Sequence, residues 1–213
     1  MSLLTTLKEG GGLNIDTIGN LPIDEDIDFL PDTDGKLELI STIVADGTAT
    51  SVAFTSMQEG TYRTHLLTTT AFTSAASSPT GHFNMRLSNN GGSSYISSAN
   101  YYKINRYGNV TGSDKGLSRY SADTEIEYFV GTDNSSTDKL GWGYTWFNDL
   151  GQSSQYSQFT QMAGGHNTNN NLDYYAFGGG QLAIAEVHNA MQIYNNRGAN
   201  ITGIFSLYGL KAE

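Results

Sequence analysis

Four histidines are the first place to look for metal or acid–base chemistry. His65, His82, His166 and His188 stand far apart in the 213-residue chain and in no ligand spacing, so zinc is not expected. Cysteine is absent, which removes thiolate ligands, disulfides and a Cys nucleophile together. In "PDTDGKLE", Asp32, Asp34 and Gly35 resemble the middle of an EF-hand loop, but the template also needs ligands where Leu30 and Ser41 stand. An Asp-Gly turn is the expectation there. The acidic run Asp24, Glu25, Asp26 and Asp28 could chelate a hard cation or meet a basic partner, although such runs are usually solvated. No G-x-S-x-G, Walker or dinucleotide-binding glycine pattern occurs, so no cofactor is expected. A glycosidase would need two carboxylates flanking a sugar. Glu125, Glu127 and Asp149 lie on or beside aromatic strands, but Glu125 and Glu127 alternate with Ile126 and Tyr128 as solvent-facing residues do. A non-enzymatic protein is expected.

Aromatic chemistry is more promising. In "GWGYTWFND", Trp142, Tyr144 and Trp146 share one face of a strand, with Gly141, Gly143 and Thr145 on the other. Such a row can form a stacking platform for sugar rings, or it can be the bulky half of a core. Both tryptophans of the chain are here and Phe147 has the opposite parity, so the core reading is preferred over the platform. Three N-x-[ST] matches, at Asn109, Asn134 and Asn200, are expected by chance in a chain so rich in Asn, Ser and Thr.

The elements that must position these residues are short and strand-like. Segments 37–45, 51–57, 61–70, 82–88, 94–107, 124–131, 141–149, 156–163, 172–178 and 201–210 favour β-branched and aromatic residues. Between them lie "SNNGGSS", "TGSDKG", "TDNSSTDK", "GGHNTNNN" and "NNRGAN", read as turns and loops. This spacing predicts an all-β antiparallel sandwich or barrel for 37–213. Residues 181–194 fit either an amphipathic helix or a loop followed by a strand, the second being preferred for their latter half. The closing "ITGIFSLYGLKAE" sets Phe205, Leu207 and Gly209 on one face and Ile204, Ser206, Tyr208 and Leu210 on the other. A strand apolar on both faces belongs inside a sheet, so the chain is expected to finish within its fold.

Residues 1–36 are different. Residues 1–41 hold nine acids against two bases, within a net charge of −10 for the whole chain. Leu13, Ile15, Ile18, Leu21, Ile23, Ile27 and Phe29 are spaced singly among polar residues, in a pattern that cannot close a core. The segment reads either as an extended arm whose apolar pegs lie in grooves on a neighbouring molecule, or as a loose terminus or a strap across its own domain. No basic stripe suits nucleic acid and no run suits a membrane span. The opening residues lack the features of a signal peptide, so a soluble, unexported protein is expected.

"VADGTATSVAFTSMQEGTYRTHLLTTT" and "AMQIYNNRGANITGIFSLYGLKAE" together resemble small virion structural proteins of tailed bacteriophages that close on an S-L-Y-G-[IL]-K strand. The matching residues are Val52, Phe54 and Tyr62, then Ser206, Leu207, Tyr208, Gly209, Leu210 and Lys211. The resemblance implies a jelly-roll-like β-sandwich on the virion surface, acting as a capsid decoration or head-fibre subunit. Its partners would be a major capsid, tail or portal protein and copies of itself, commonly as a homotrimer. Tyr208 and Leu210 would then be subunit contacts. The alternative is a tail-associated, tail-fibre-like adhesin that binds host glycan. No catalytic residue carries over.

Overall fold

The computed structural model describes residues 36–74, 82–109, 114–127, 140–167 and 172–211. The seven apolar pegs from Leu13 to Phe29 lie outside these residues. The described chain is all-β and contains no helix. Its strands are β1 (Leu37–Asp46), β2 (Ser51–Phe54), β3 (Thr64–Ser74), β4 (Phe83–Ser88), β5 (Tyr101–Asn109) and β6 (Asp114–Asp123), then β7 (Ile126–Glu127), β8 (Gly141–Asn148), β9 (Tyr156–Asn167), β10 (Leu172–Ala185), β11 (Ala190–Asn195) and β12 (Ile201–Leu210).

They form two antiparallel sheets, an eight-stranded one ordered β1-β12-β3-β8-β9-β10-β5-β6 and a four-stranded one ordered β2-β11-β4-β7. Setting aside β5–β6 and β9–β10 leaves two four-stranded sheets, β1-β12-β3-β8 and β2-β11-β4-β7. Successive strands then alternate between the sheets except β4 and β7, which are neighbours in the smaller one, and this is the wiring of a jelly roll. The molecule is therefore a jelly-roll β-sandwich in which two inserted hairpins widen one sheet.

The core fills the space between the sheets with Phe54, Phe72, Phe83, Met85, Leu87, Phe147, Met191, Ile193, Phe205 and Leu207, all essentially without solvent contact. β12 lies between β1 and β3, an interior position, with Phe205, Leu207 and Gly209 inward as its alternation requires. Residues of the terminal motif meet those of the opening hairpin. The Tyr62 ring lies where a side chain at Gly209 would have to go, its carbons as close as 2.2 Å to the Cβ position. The Tyr62 hydroxyl donates to Glu38 Oε2. Val52 and Phe54 are in the core.

One local expectation is corrected, and the strand preferred for the latter half of 181–194 is present. Residues 111–116 read as a turn, yet Asp114 opens the ten-residue strand β6, paired with β5 from Tyr101↔Asp123 to Gly108↔Asp114. A strand held by backbone pairing to one neighbour carries little apolar signal. Residues 181–194 contain no helix: β10 runs straight through Gly178, Gly179 and Gly180 to Ala185, and β11 follows, with Met191 and Ile193 buried. The glycines admit this close pairing. A Cβ at 178 would stand 2.0 Å from Asn105 Oδ1, and one at 180 would stand 2.0 Å from the Tyr102 carbonyl oxygen.

Candidate functional site

Strand register decides which side chains gather on each face of the large sheet. Across β8, β9, β10 and β5 the residues Thr145, Gln161, Gly178 and Asn105 form one row, and they face inward. Neighbouring inward positions hold Gly141, Gly143, Ala163, Ala176 and Lys103. Here the inner face is small or polar. Lys103 is buried, with Nζ 2.7 Å from Asp123 and 3.6 Å from Glu127, and it donates to the Glu125 carbonyl. Gln161 Nε2 donates to Asn105 Oδ1 and to the Glu127 carbonyl. These bonds tie the inserted strands to β7 of the opposite sheet.

The outer face of the same strands carries the bulk. Trp142 (38% exposed), Tyr144, Tyr102, Ile104, Tyr175 and Phe177 (59%) all point away from the core, and Trp146 is half-buried among them. The preference for Trp142, Tyr144 and Trp146 as core residues is thus overturned. The reason is Phe72, whose ring atoms lie 2.5 to 2.8 Å from where a Cβ of Gly141 would stand. With only a glycine fitting beneath that ring, the alternation sends the aromatics outward.

Two details shape this surface. The Trp142 indole lies on the Gly164 backbone, its ring atoms 2.9 Å from an imaginary Cβ there, and it reaches toward Tyr175 with ring centroids 6.4 Å apart. Beside it, Tyr144 Oη donates to Met162 Sδ at 3.5 Å. Further along the sheet a groove of about 660 Å³ opens over Gly179, between Tyr102, Ile104, Gln158 and Gln181.

The band continues over β3, β12 and β1 in aliphatic form. Register aligns Leu39, Tyr208, Leu66 and Trp146 in one row, and Leu37 beside Leu210. Tyr208 and Leu210 are half-buried by these neighbours, while Leu37, Leu39, Val44 and Ile204 remain exposed.

The chemistry-bearing residues of the sequence are otherwise occupied. Among the described residues no three of His, Asp or Glu gather as metal ligands. Glu125 and Glu127 are mostly covered rather than solvent-facing, a second correction. Arg86 Nη2 donates to Glu125 at 3.1 Å, Asn84 and Tyr194 also donate to it, and Glu127 has Lys103 and His82 beside it. Burial and then Glu125 push the Tyr194 phenol well above its ordinary value. Asp149 is held by Arg63 at 2.7 Å. Each carboxylate has its own cation, so the three do not converge on a common sugar site.

Ser157 Oγ and His188 Nδ1 share a hydrogen bond of 2.7 Å, and Glu186 lies 3.4 Å from Nε2. The set has the components of a nucleophile triad, but Ser157 and His188 are buried and closed to substrate. Burial, outweighing Glu186, holds the His188 imidazole below its ordinary pKa. His65, buried and donating from Nε2 to the Met57 carbonyl at 2.8 Å, is lowered for the same reason.

Comparison of the chain with family models, with curated proteins and with solved structures returns no match. Sequence reasoning missed Tyr102, Ile104, Tyr175 and Phe177 as surface residues. Their alternation was legible in "YYKI" and "YYAF", but which parity faced outward was not.

Proposed function

We propose that this chain is a non-enzymatic structural protein of a bacteriophage particle, a capsid decoration or head-fibre subunit attached through residues 1–36. It would associate with copies of itself through the outer face of its large sheet. The supporting observation is that face. At roughly 150–250 Å² for a large side chain, the outward Leu, Val, Ile and aromatic residues expose on the order of 900 Å². That sum covers the whole face; its aliphatic portion, Leu37, Leu39, Val44 and Ile204, supplies roughly 300–500 Å² of it, enough for the apolar centre of an interface that polar neighbours complete. The aliphatic portion over β1 and β12, which includes Tyr208 and Leu210, is the better subunit contact because Leu37, Leu39, Val44 and Ile204 are exposed there. Light scattering on the full chain is expected to give a trimer, and the double variant Leu39→Ser, Val44→Ser a folded monomer that melts near the temperature of the wild type at monomeric dilution. A wild-type monomer at every accessible concentration refutes self-association. Deleting residues 1–36 is expected to abolish particle incorporation while leaving the sandwich folded, and retained incorporation refutes the attachment role.

A second reading, the glycan-binding adhesin, is favoured by one observation: Trp142 lies on Gly164 with its other face open, the posture of a stacking platform.

A further inference from the structure

We infer that the groove over Gly179 is a binding subsite for a pyranose unit of a neutral glycan, separate from the Trp142 platform. The inference rests on the adhesin reading. Its geometry comes from four neighbouring strands. Thr160 on β9 pairs with Gly179 on β10, and Gly179 with Ile104 on β5. At about 4.8 Å per strand, Thr160 and Ile104 stand roughly 10 Å apart with Gly179 as the floor between them. The floor stays bare because a Cβ at Gly179 would meet the Phe159 carbonyl oxygen at 2.7 Å. One sugar ring fits such a valley.

The next row supplies polar recognition. Gln158 pairs with Gln181, and Gln181 with Tyr102, so two amides and a phenol line one side of the groove. Among the described residues neither Gln158 nor Gln181 has a hydrogen-bond partner for its side chain. Each amide offers two N–H donors and a carbonyl acceptor, a match for adjacent sugar hydroxyls, while the Tyr102 ring and Ile104 give apolar cover for C–H faces. Ser121 adds a hydroxyl at the rim. Lys103, the charged residue among those lining the groove, is turned inward onto Asp123 and Glu127. The chain's net charge of −10 disfavours carboxylated or sulfated sugars. The site lies wholly on the inserted strands β5, β6, β9 and β10, additions that the jelly roll does not need for its own closure.

The test is affinity electrophoresis of the full chain in native gels containing dextran, laminarin, galactomannan or xylan. Tyr102→Ala, Gln181→Ala and Trp142→Ala are run beside the wild type after melting curves confirm that each is folded. Retardation is expected in at least one gel, with affinity reduced about five- to tenfold by Gln181→Ala, the effect of one or two lost hydrogen bonds, and at least as much by Tyr102→Ala. Retardation that Trp142→Ala abolishes but Tyr102→Ala and Gln181→Ala leave unchanged overturns the groove and keeps the adhesin reading. Wild-type mobility unchanged in all four gels overturns both. Should Tyr102→Ala not fold, Gln181→Ala alone decides the matter, since its side chain packs into no core.

Discussion

Phe205 and Ile204 are adjacent in β12, and the sandwich gives them opposite fates. Phe205 has no solvent exposure and packs between the sheets, while Ile204 is 42% exposed on the outer face. Truncating a fully buried Phe to Ala costs about 3–5 kcal/mol, the transfer energy plus that of the cavity left behind. For a body of this size each kcal/mol lowers the melting temperature by about 2–4 °C, so Phe205→Ala is expected to melt about 6–20 °C below wild type. Ile204→Ala removes a side chain that keeps almost half its contact with water, and about 1 kcal/mol or 2–4 °C is expected. The assay is a thermal melt by circular dichroism, at a dilution where the chain is monomeric. Equal shifts, or a larger one for Ile204→Ala, would refute the assignment of inner and outer faces and with it every argument about the exposed band. An Ile204→Ala effect that appears only at high concentration would instead mark the subunit contact.

Stability should depend on pH through His65 and His188, both held below the ordinary value of 6.5 by burial. The unfolded chain takes up protons first, so the stability present above about pH 6.5 is lost as pH falls from there toward the folded-state values. Melting temperatures between pH 8 and pH 5 should show the decline, and His188→Asn should flatten part of it; a profile level over that range would contradict the burial of these rings. Gly178→Ala must push a methyl group to 2.0 Å from Asn105 Oδ1 and 2.3 Å from the Ile104 carbonyl oxygen, so a loss of at least about 1–3 kcal/mol is expected. Gly60→Ala, with nothing within 4 Å, should be near neutral, and equal denaturant midpoints for the two would refute the close pairing of β10 with β5.

By itself the sequence determined the class of fold and the partition of residues into faces. Alternation in "ITGIFSLYGL" separates Phe205 and Leu207 from Ile204 and Tyr208 without any knowledge of neighbours, because a strand's side chains must alternate. The same rule grouped Trp142, Tyr144 and Trp146. It could not say which group is inside, since that depends on what occupies the far side: Phe72 fills the space above Gly141 and leaves no room for an indole. Nor could it show that β6 is a strand, because its pairing comes from the edge of β5 rather than from its own apolar residues. The ion pairs of Glu125 and Glu127, and the bare floor over Gly179, come from residues far apart in the chain that only the packed sheets bring together. Parity is a local property of the backbone, whereas inside and outside are properties of the assembled layers.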